Sequence, residues 1–243
     1  NAESNTISSG LGSDTISGGL GNDKLIGNAG NDVFVDTSFA GDAVDGAEDN
    51  DTIDYRNVTS KITLVLEDNG ATTDVKVGNI SADHTIANIE NIYGSSTVGD
   101  EITGNNLANT ILGYGGNDTI DGGAGADYLD GGTGTNTISF KSFTSSVTVN
   151  LSNKTSSDGD TIENFTNIIG TNISAQSDNL IGNNYANKIE GLAGNDTIEG
   201  LGGADNLLGG EGNDKFILRA DDGIDTVDGG AGSGDIADYS NLT

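Results

Sequence analysis

The chain has no cysteine, proline, methionine or tryptophan, a single histidine, and only 5% aromatic residues in 243 positions. Without cysteine there is no disulfide framework and no cysteine nucleophile. No apolar run is long enough to span a bilayer as a helix, and no N-terminal signal peptide is legible. Basic residues are scarce too, 9 against 38 acidic ones, and they form no cluster. Phosphate binding needs such clusters, so nucleic acid and anionic membranes are poor partners and no membrane insertion is expected. A formal charge of -29 makes the bare chain self-repelling. With 33% apolar residues, the composition by itself reads as disorder unless something neutralises the acids.

What the chain has in excess is glycine, 39 residues, and acidic side chains set to a strict beat. Aspartate or asparagine recurs every nine residues at Asp14, Asp23 and Asp32, at Asp100, Asn109, Asp118, Asp127 and Asn136, and at Asp178, Asn187, Asp196, Asp205 and Asp214. The stretches around them, such as SGLGSDTIS, GGLGNDKLI, GGAGADYLD and GGEGNDKFI, fit GGxGxDxUx, with U a large apolar residue. Asp42, Asp51, Asp225 and Asp235 continue the series, with steps of ten or eleven residues to Asp42, Asp225 and Asp235 that carry an insertion.

Glycines, aspartate and apolar residue keep register over more than a dozen units, and in this the chain resembles the RTX (repeats-in-toxin) calcium-binding nonapeptide family. The resemblance implies an all-β, right-handed parallel β-roll or β-solenoid with calcium ions stacked between turns. It makes the position-six residues above metal ligands. Carbonyls of positions one to four complete the shell in that family, which here brings in Gly10, Gly12, Gly19, Gly21, Gly30, Gly116, Gly123, Gly125, Gly132, Gly134, Gly194, Gly210 and Gly212.

The physics agrees with that reading. Two nonapeptides per coil put Asp14 beside Asp32, Asp100 beside Asp118 and Asp196 beside Asp214, with coils roughly 4.8 Å apart. Two carboxylates at that distance repel by roughly 3 kcal/mol at an effective dielectric near 20, so a cation is expected between each pair. Oxygen-rich and sulfur-free sites favour a hard ion of flexible coordination, calcium before magnesium. Asn109, Asn136 and Asn187 supply a neutral, weaker ligand. Position eight, from Ile16, Leu25 and Phe34 through Ile102, Ile111, Ile120, Leu129 and Ile138 to Leu180, Ile189, Ile198, Leu207 and Phe216, supplies the inward ladder of a thin core. Metal binding and folding are expected to be one event.

A second period overlies the first. The positions from Asp100 to Asn136 map onto those from Asp178 to Asp214 with a shift of 78 residues. DTIDYRNVTSKITLVL at Asp51 parallels NTISFKSFTSSVTVNL at Asn136, and HTIANIENIYG at His84 parallels DTIENFTNIIG at Asp160. Between these matches the first copy is nine residues longer, which predicts an extra half-coil. The expected organisation is a first repeat segment at 1–50, a strand-rich segment at 51–94, a second repeat segment at 95–140, a strand-rich segment at 141–172, and a third repeat segment at 173–243 running into the next unit. The strand-rich segments are expected to add strands to the same solenoid, the alternative being a small hairpin flap beside it. Asn88, Asn91, Asn164 and Asn167 read as turn residues. Tandem units of this kind, with Asn5 already nine residues before Asp14, suggest a stretch of a longer array.

No residue set points to catalysis. There is no HExxH, no GxSxG and no cysteine. His84 stands where the second copy has Asp160 and reads as a turn residue, while Asp68, Asp74, Asp83 and Asp158 read as solvated surface. The expectation is therefore a non-enzymatic, calcium-binding structural module of a secreted, cell-surface protein of adhesin, surface-layer or filament type. Neighbouring copies or surface and matrix glycans would be its partners. The alternative is the C-terminal folding module of a type I-secreted protease, lipase or alginate epimerase, or the repeat region of a toxin.

Overall fold

The structure, a computed structural model, describes residues 2–35, 41–68, 70–78, 84–220 and 223–240. Two compact units, Asn1–Gly134 and Thr135–Thr243, divide the chain. Among the described residues each unit is built from β-strands without helix, wound as a parallel β-solenoid. Most strands are three residues long, as in Thr110–Leu112, Thr119–Asp121, Asn179–Ile181 and Thr197–Glu199, with the middle residue buried. The D-T-I-x stretch explains this. β-Branched residues favour extended backbone, alternation sends one side chain inward, and glycine ends the run.

The register puts like on like. On one sheet of the first unit Ile16, Phe34, Ile53, Ile92, Ile111 and Leu129 stack in sequence. On the other, Leu25 lies beside Val44 and Val44 beside Ile86, while Leu64 lies beside Ile102 and Ile102 beside Ile120. In the second unit Ile138, Ile168, Ile189 and Leu207 form one ladder and Val149, Leu180, Ile198 and Phe216 the other. All thirteen position-eight residues are buried as expected.

The strand-rich segments join the sheets, and they do so through a hairpin that lies within the sheet. Ile62–Val65 runs parallel to Glu101–Thr103 and antiparallel to Thr73–Val77, which runs antiparallel to His84–Ala87. In the second unit Thr148–Asn150, Thr155–Ser156 and Thr161–Glu163 repeat this arrangement. Among the described residues the strands of the two copies therefore correspond one to one, without the predicted half-coil. The hairpin is longer instead, its returning strand having five residues in the first copy and two in the second. A hairpin closes on itself, so added length leaves the coils on either side in register. Asn88 and Asn164 sit at matching turns with φ of 51° and 59°, the left-handed conformation that asparagine tolerates.

Candidate metal centre

Most position-six side chains lie where a glycine turn runs into a strand, as Asp14 does before Thr15–Ile16 and Asp23 before Lys24–Ala29. From there it reaches back one coil. In the first unit Oδ1 of Asp32 accepts the backbone N–H of Asp14 (2.8 Å), Asp42 that of Asp23 (2.8 Å), Asp51 that of Asp32 (2.8 Å), Asp118 that of Asp100 (2.7 Å) and Asp127 that of Asn109 (2.8 Å). In the second, Asp196 bonds to Asp178, Asp205 to Asn187, Asp214 to Asp196, Asp225 to Asp205 and Asp235 to Asp214, at 2.8 to 3.0 Å. The inserted residues near Asp42, Asp225 and Asp235 thus leave the ladder intact. One oxygen of each carboxylate is committed to the neighbouring coil.

The other oxygen is where a cation fits. Oδ2 of Asp14, Asp23, Asp32, Asp51, Asp196 and Asp214 is buried and has no hydrogen-bond partner. A buried carboxylate oxygen left bare is costly unless a positive charge meets it. Lysine and arginine do not do so. Arg56 pairs with Asp54, Lys61 with Glu101, Lys154 with Glu163, Lys188 with Glu190, Lys215 with Asp238 and Arg219 with Glu199. All six ion pairs among the described residues go to acids other than the position-six aspartates.

Glycine at position one shapes the same place, a role that the sequence pattern alone left unassigned. A Cβ on Gly27, Gly113, Gly191 or Gly209 would collide with Oδ2 of the aspartate five residues on and with a glycine carbonyl of the following coil. These glycines have ordinary φ values, so their need is steric: the carboxylate oxygen and a carbonyl oxygen converge where the side chain would be. The thirteen glycines expected to contribute carbonyls lie between φ 72° and φ 149°. At Gly30 the preceding coil is close, a Cβ there falling 2.5 Å from the carbonyl carbon and oxygen of Gly12.

The site residues are not all alike. Asp100 accepts the N–H of Ile62 on Oδ1 (2.8 Å) and of Ser95 on Oδ2 (2.6 Å). Asp178 does the same with Val147 (2.9 Å) and Thr171 (2.7 Å). Both carboxylates are satisfied by the protein. The three asparagines turn an amide toward a carbonyl. Nδ2 of Asn109 donates to Glu90 O (3.0 Å), that of Asn136 to Asn164 O (3.1 Å) and that of Asn187 to Thr166 O (2.7 Å). Among the described residues no three His, Cys, Asp or Glu side chains converge. An ion here would therefore take most of its ligands from backbone carbonyls, a donor set that suits calcium.

Burial raises the carboxyls of Asp51, Asp100 and Asp196 to about 6 and that of Asp118 to about 7 in the metal-free chain. A neighbouring carboxylate adds to the rise at Asp51, Asp118 and Asp196. Protons and a cation thus compete for the same oxygens.

The remaining candidates take structural places. His84 is no turn residue: it opens the strand His84–Ala87, is buried, and meets the Tyr55 hydroxyl at 2.8 Å through Nε2. Asp158 is not simply solvated, since its Oδ2 is buried while Oδ1 takes the Ser156 hydroxyl. Asp68 holds the N–H of Asn106 at 2.9 Å, and Asp83 lies outside the described residues.

The family model for the RTX calcium-binding nonapeptide repeat matches four stretches, residues 1–34, 103–138, 181–216 and 217–233. No curated protein matches the chain. Those four stretches cover about half of it and carry most of the coil-edge aspartates and asparagines, Asp42, Asp51, Asp100, Asp178 and Asp235 lying outside them, and the chain belongs to the RTX calcium-binding nonapeptide repeat family.

Proposed function

We propose that this chain is a calcium-binding structural stretch of a secreted, cell-surface RTX protein of adhesin, surface-layer or filament type, folding and stiffening as calcium binds outside the cell. The observation that carries this is the row of buried Oδ2 atoms, on Asp14, Asp23, Asp32, Asp51, Asp196 and Asp214, that no protein group satisfies. Bound calcium would supply the positive charge those oxygens lack. The aspartates hold it from one side and the turn carbonyls of positions one to four from the other. The motif-bearing segments 1–50, 95–140 and 173–243, with Asp51 directly after the first, supply the motif ligands, and 51–94 and 141–172 carry the sheets between them. Asp100 and Asp178, with both oxygens bonded to N–H groups, and the amide-locked Asn109, Asn136 and Asn187 are the weaker ligands of the set. Internal duplication at 78 residues supports a spacer made of tandem units, with neighbouring copies or glycans as partners.

Circular dichroism tests the calcium dependence directly. In excess chelator the chain is expected to be largely disordered, and millimolar calcium is expected to restore β-structure in one cooperative transition. A fold that persists in chelator overturns the proposal.

A further inference from the structure

One coil edge of the first unit is completed by a segment that has none of the motif. At ten motif steps the N–H of the position-six residue donates to the position-six carboxylate one coil on, as Asp14 does to Asp32 and Asp196 to Asp214. Asp51 has no such aspartate ahead of it. Its N–H donates to Oε2 of Glu90 at 2.8 Å, 39 residues on. Asp51 itself is 0% exposed, with Oδ1 accepting from Asp32 N–H at 2.8 Å and Oδ2 buried without a partner.

Carbonyl geometry repeats the same substitution. A Cβ on Gly27 would meet Asp32 Oδ2 and the carbonyl of Gly46, and one on Gly191 would meet Asp196 Oδ2 and the carbonyl of Gly209. On Gly46 it would meet Asp51 Oδ2 and the carbonyl of Asn88. Asn88 thus stands where a position-one glycine stands elsewhere. Its turn is held by Nδ2 donating to Asp45 Oδ1 at 2.7 Å.

The matching coil of the second unit shows what happens when both carboxylates go. There Asn136 replaces Asp51, Thr166 replaces Glu90 and Asn164 matches Asn88. The backbone is unchanged, with Asn91 N–H on Asp51 O and Asn167 N–H on Asn136 O both at 2.9 Å. Nδ2 of Asn136 donates to the Asn164 carbonyl at 3.1 Å, so an amide hydrogen occupies the place of a cation. Two carboxylates are exchanged together for two neutral side chains and an internal hydrogen bond. Charge on both sides of an ion, or on neither, is the pattern that a shared cation requires.

We propose that Glu90 and the Asn88 carbonyl complete a calcium site with Asp51, outside the nonapeptide motif and outside the stretches matched to the family, and that the second unit has no counterpart to it. The inference rests on the calcium-binding reading above. Calcium stoichiometry of the full chain tests it, by equilibrium dialysis with radiolabelled calcium and with circular dichroism as the control for folding. Glu90→Gln keeps an acceptor for the Asp51 N–H and is expected to lose one calcium per chain with an unchanged spectrum. Should that variant not fold, the reverse exchange decides: Asn136→Asp with Thr166→Glu is expected to gain one calcium per chain. Wild-type stoichiometry in folded Glu90→Gln, or no gain in the double variant where it decides, overturns the site while leaving the calcium-binding reading intact. A wild-type chain that takes up no calcium overturns both.

Discussion

Tyr55 and His84 form a buried pair, hydroxyl to Nε2 at 2.8 Å, and the matching positions of the second copy hold Phe140 and Asp160. Burial pulls the His84 imidazole down from 6.5 to about 4. A depressed histidine stabilises the fold above its unfolded value of 6.5 and loses that contribution as pH falls toward about 4. Between pH 7 and pH 5 the expected loss is about 2 kcal/mol. Urea denaturation in saturating calcium checks this, with His84→Asn as reference; equal pH slopes for the two proteins would sink it. The position-one glycines offer a second test. Gly191 has an ordinary φ, so Gly191→Ala strains no backbone but pushes a methyl group onto Asp196 Oδ2. Calcium affinity is expected to fall along with stability, by about 1–3 kcal/mol. Asp196→Asn separates charge from shape. Its side-chain oxygen can still accept the Asp178 N–H, so the variant is expected to fold only at a higher calcium concentration and, in saturating calcium, to be less stable by about 1 kcal/mol. An unchanged calcium midpoint counts against a metal role for Oδ2.

At the scale of the element, the strands depend on a single inward side chain each. Ile120 lies over Ile102 in the first unit and is fully buried. Ile120→Ala is expected to cost about 2–5 kcal/mol in calcium, read as a drop in the urea midpoint, because a thin ladder has few neighbours that can close the cavity. Strand positions were legible in the sequence, since D-x-U-x fixes the inward residue and glycine fixes both ends. The hairpin was legible only in part. Alternation in ITLVL and VTVNL marks extended backbone, but period two is the same for parallel and antiparallel strands. Direction is set by the partner. For that reason nine extra residues, equal in number to a repeat, read as a half-coil where the structure has a longer hairpin. His84 was misjudged for a related reason: a polar residue beside a turn looks exposed until Tyr55, 29 residues away, covers and bonds it.

At the scale of the molecule, 38 acids and 9 bases have to be reconciled with two units that are each compact. Six of the bases are held in local ion pairs, so neutralisation of the coil edges falls to ions from solution. Magnesium is expected to serve poorly, because it demands near-octahedral geometry and sheds water reluctantly. Matched titrations by circular dichroism should give folding in calcium at concentrations where magnesium leaves the chain disordered. Equal folding in both ions would point to general charge screening instead.

The nine-residue beat of aspartate, glycine and an apolar residue was enough to determine the coil and the inward ladder. Each of those depends on residues within one repeat or on its neighbour 18 positions away. The tertiary structure decided which oxygens are spoken for. Asp100 and Asp178 keep the beat of Asp196 and its apolar residue two positions on but lack its glycines at positions one and four, and Ser95 and Thr171 saturate them from the loops that stand there instead. Glu90 fits no motif at all and still takes the place of an edge carboxylate. Hydrogen-bond satisfaction is set by whatever backbone arrives in space, and a repeat pattern records only what recurs along the chain.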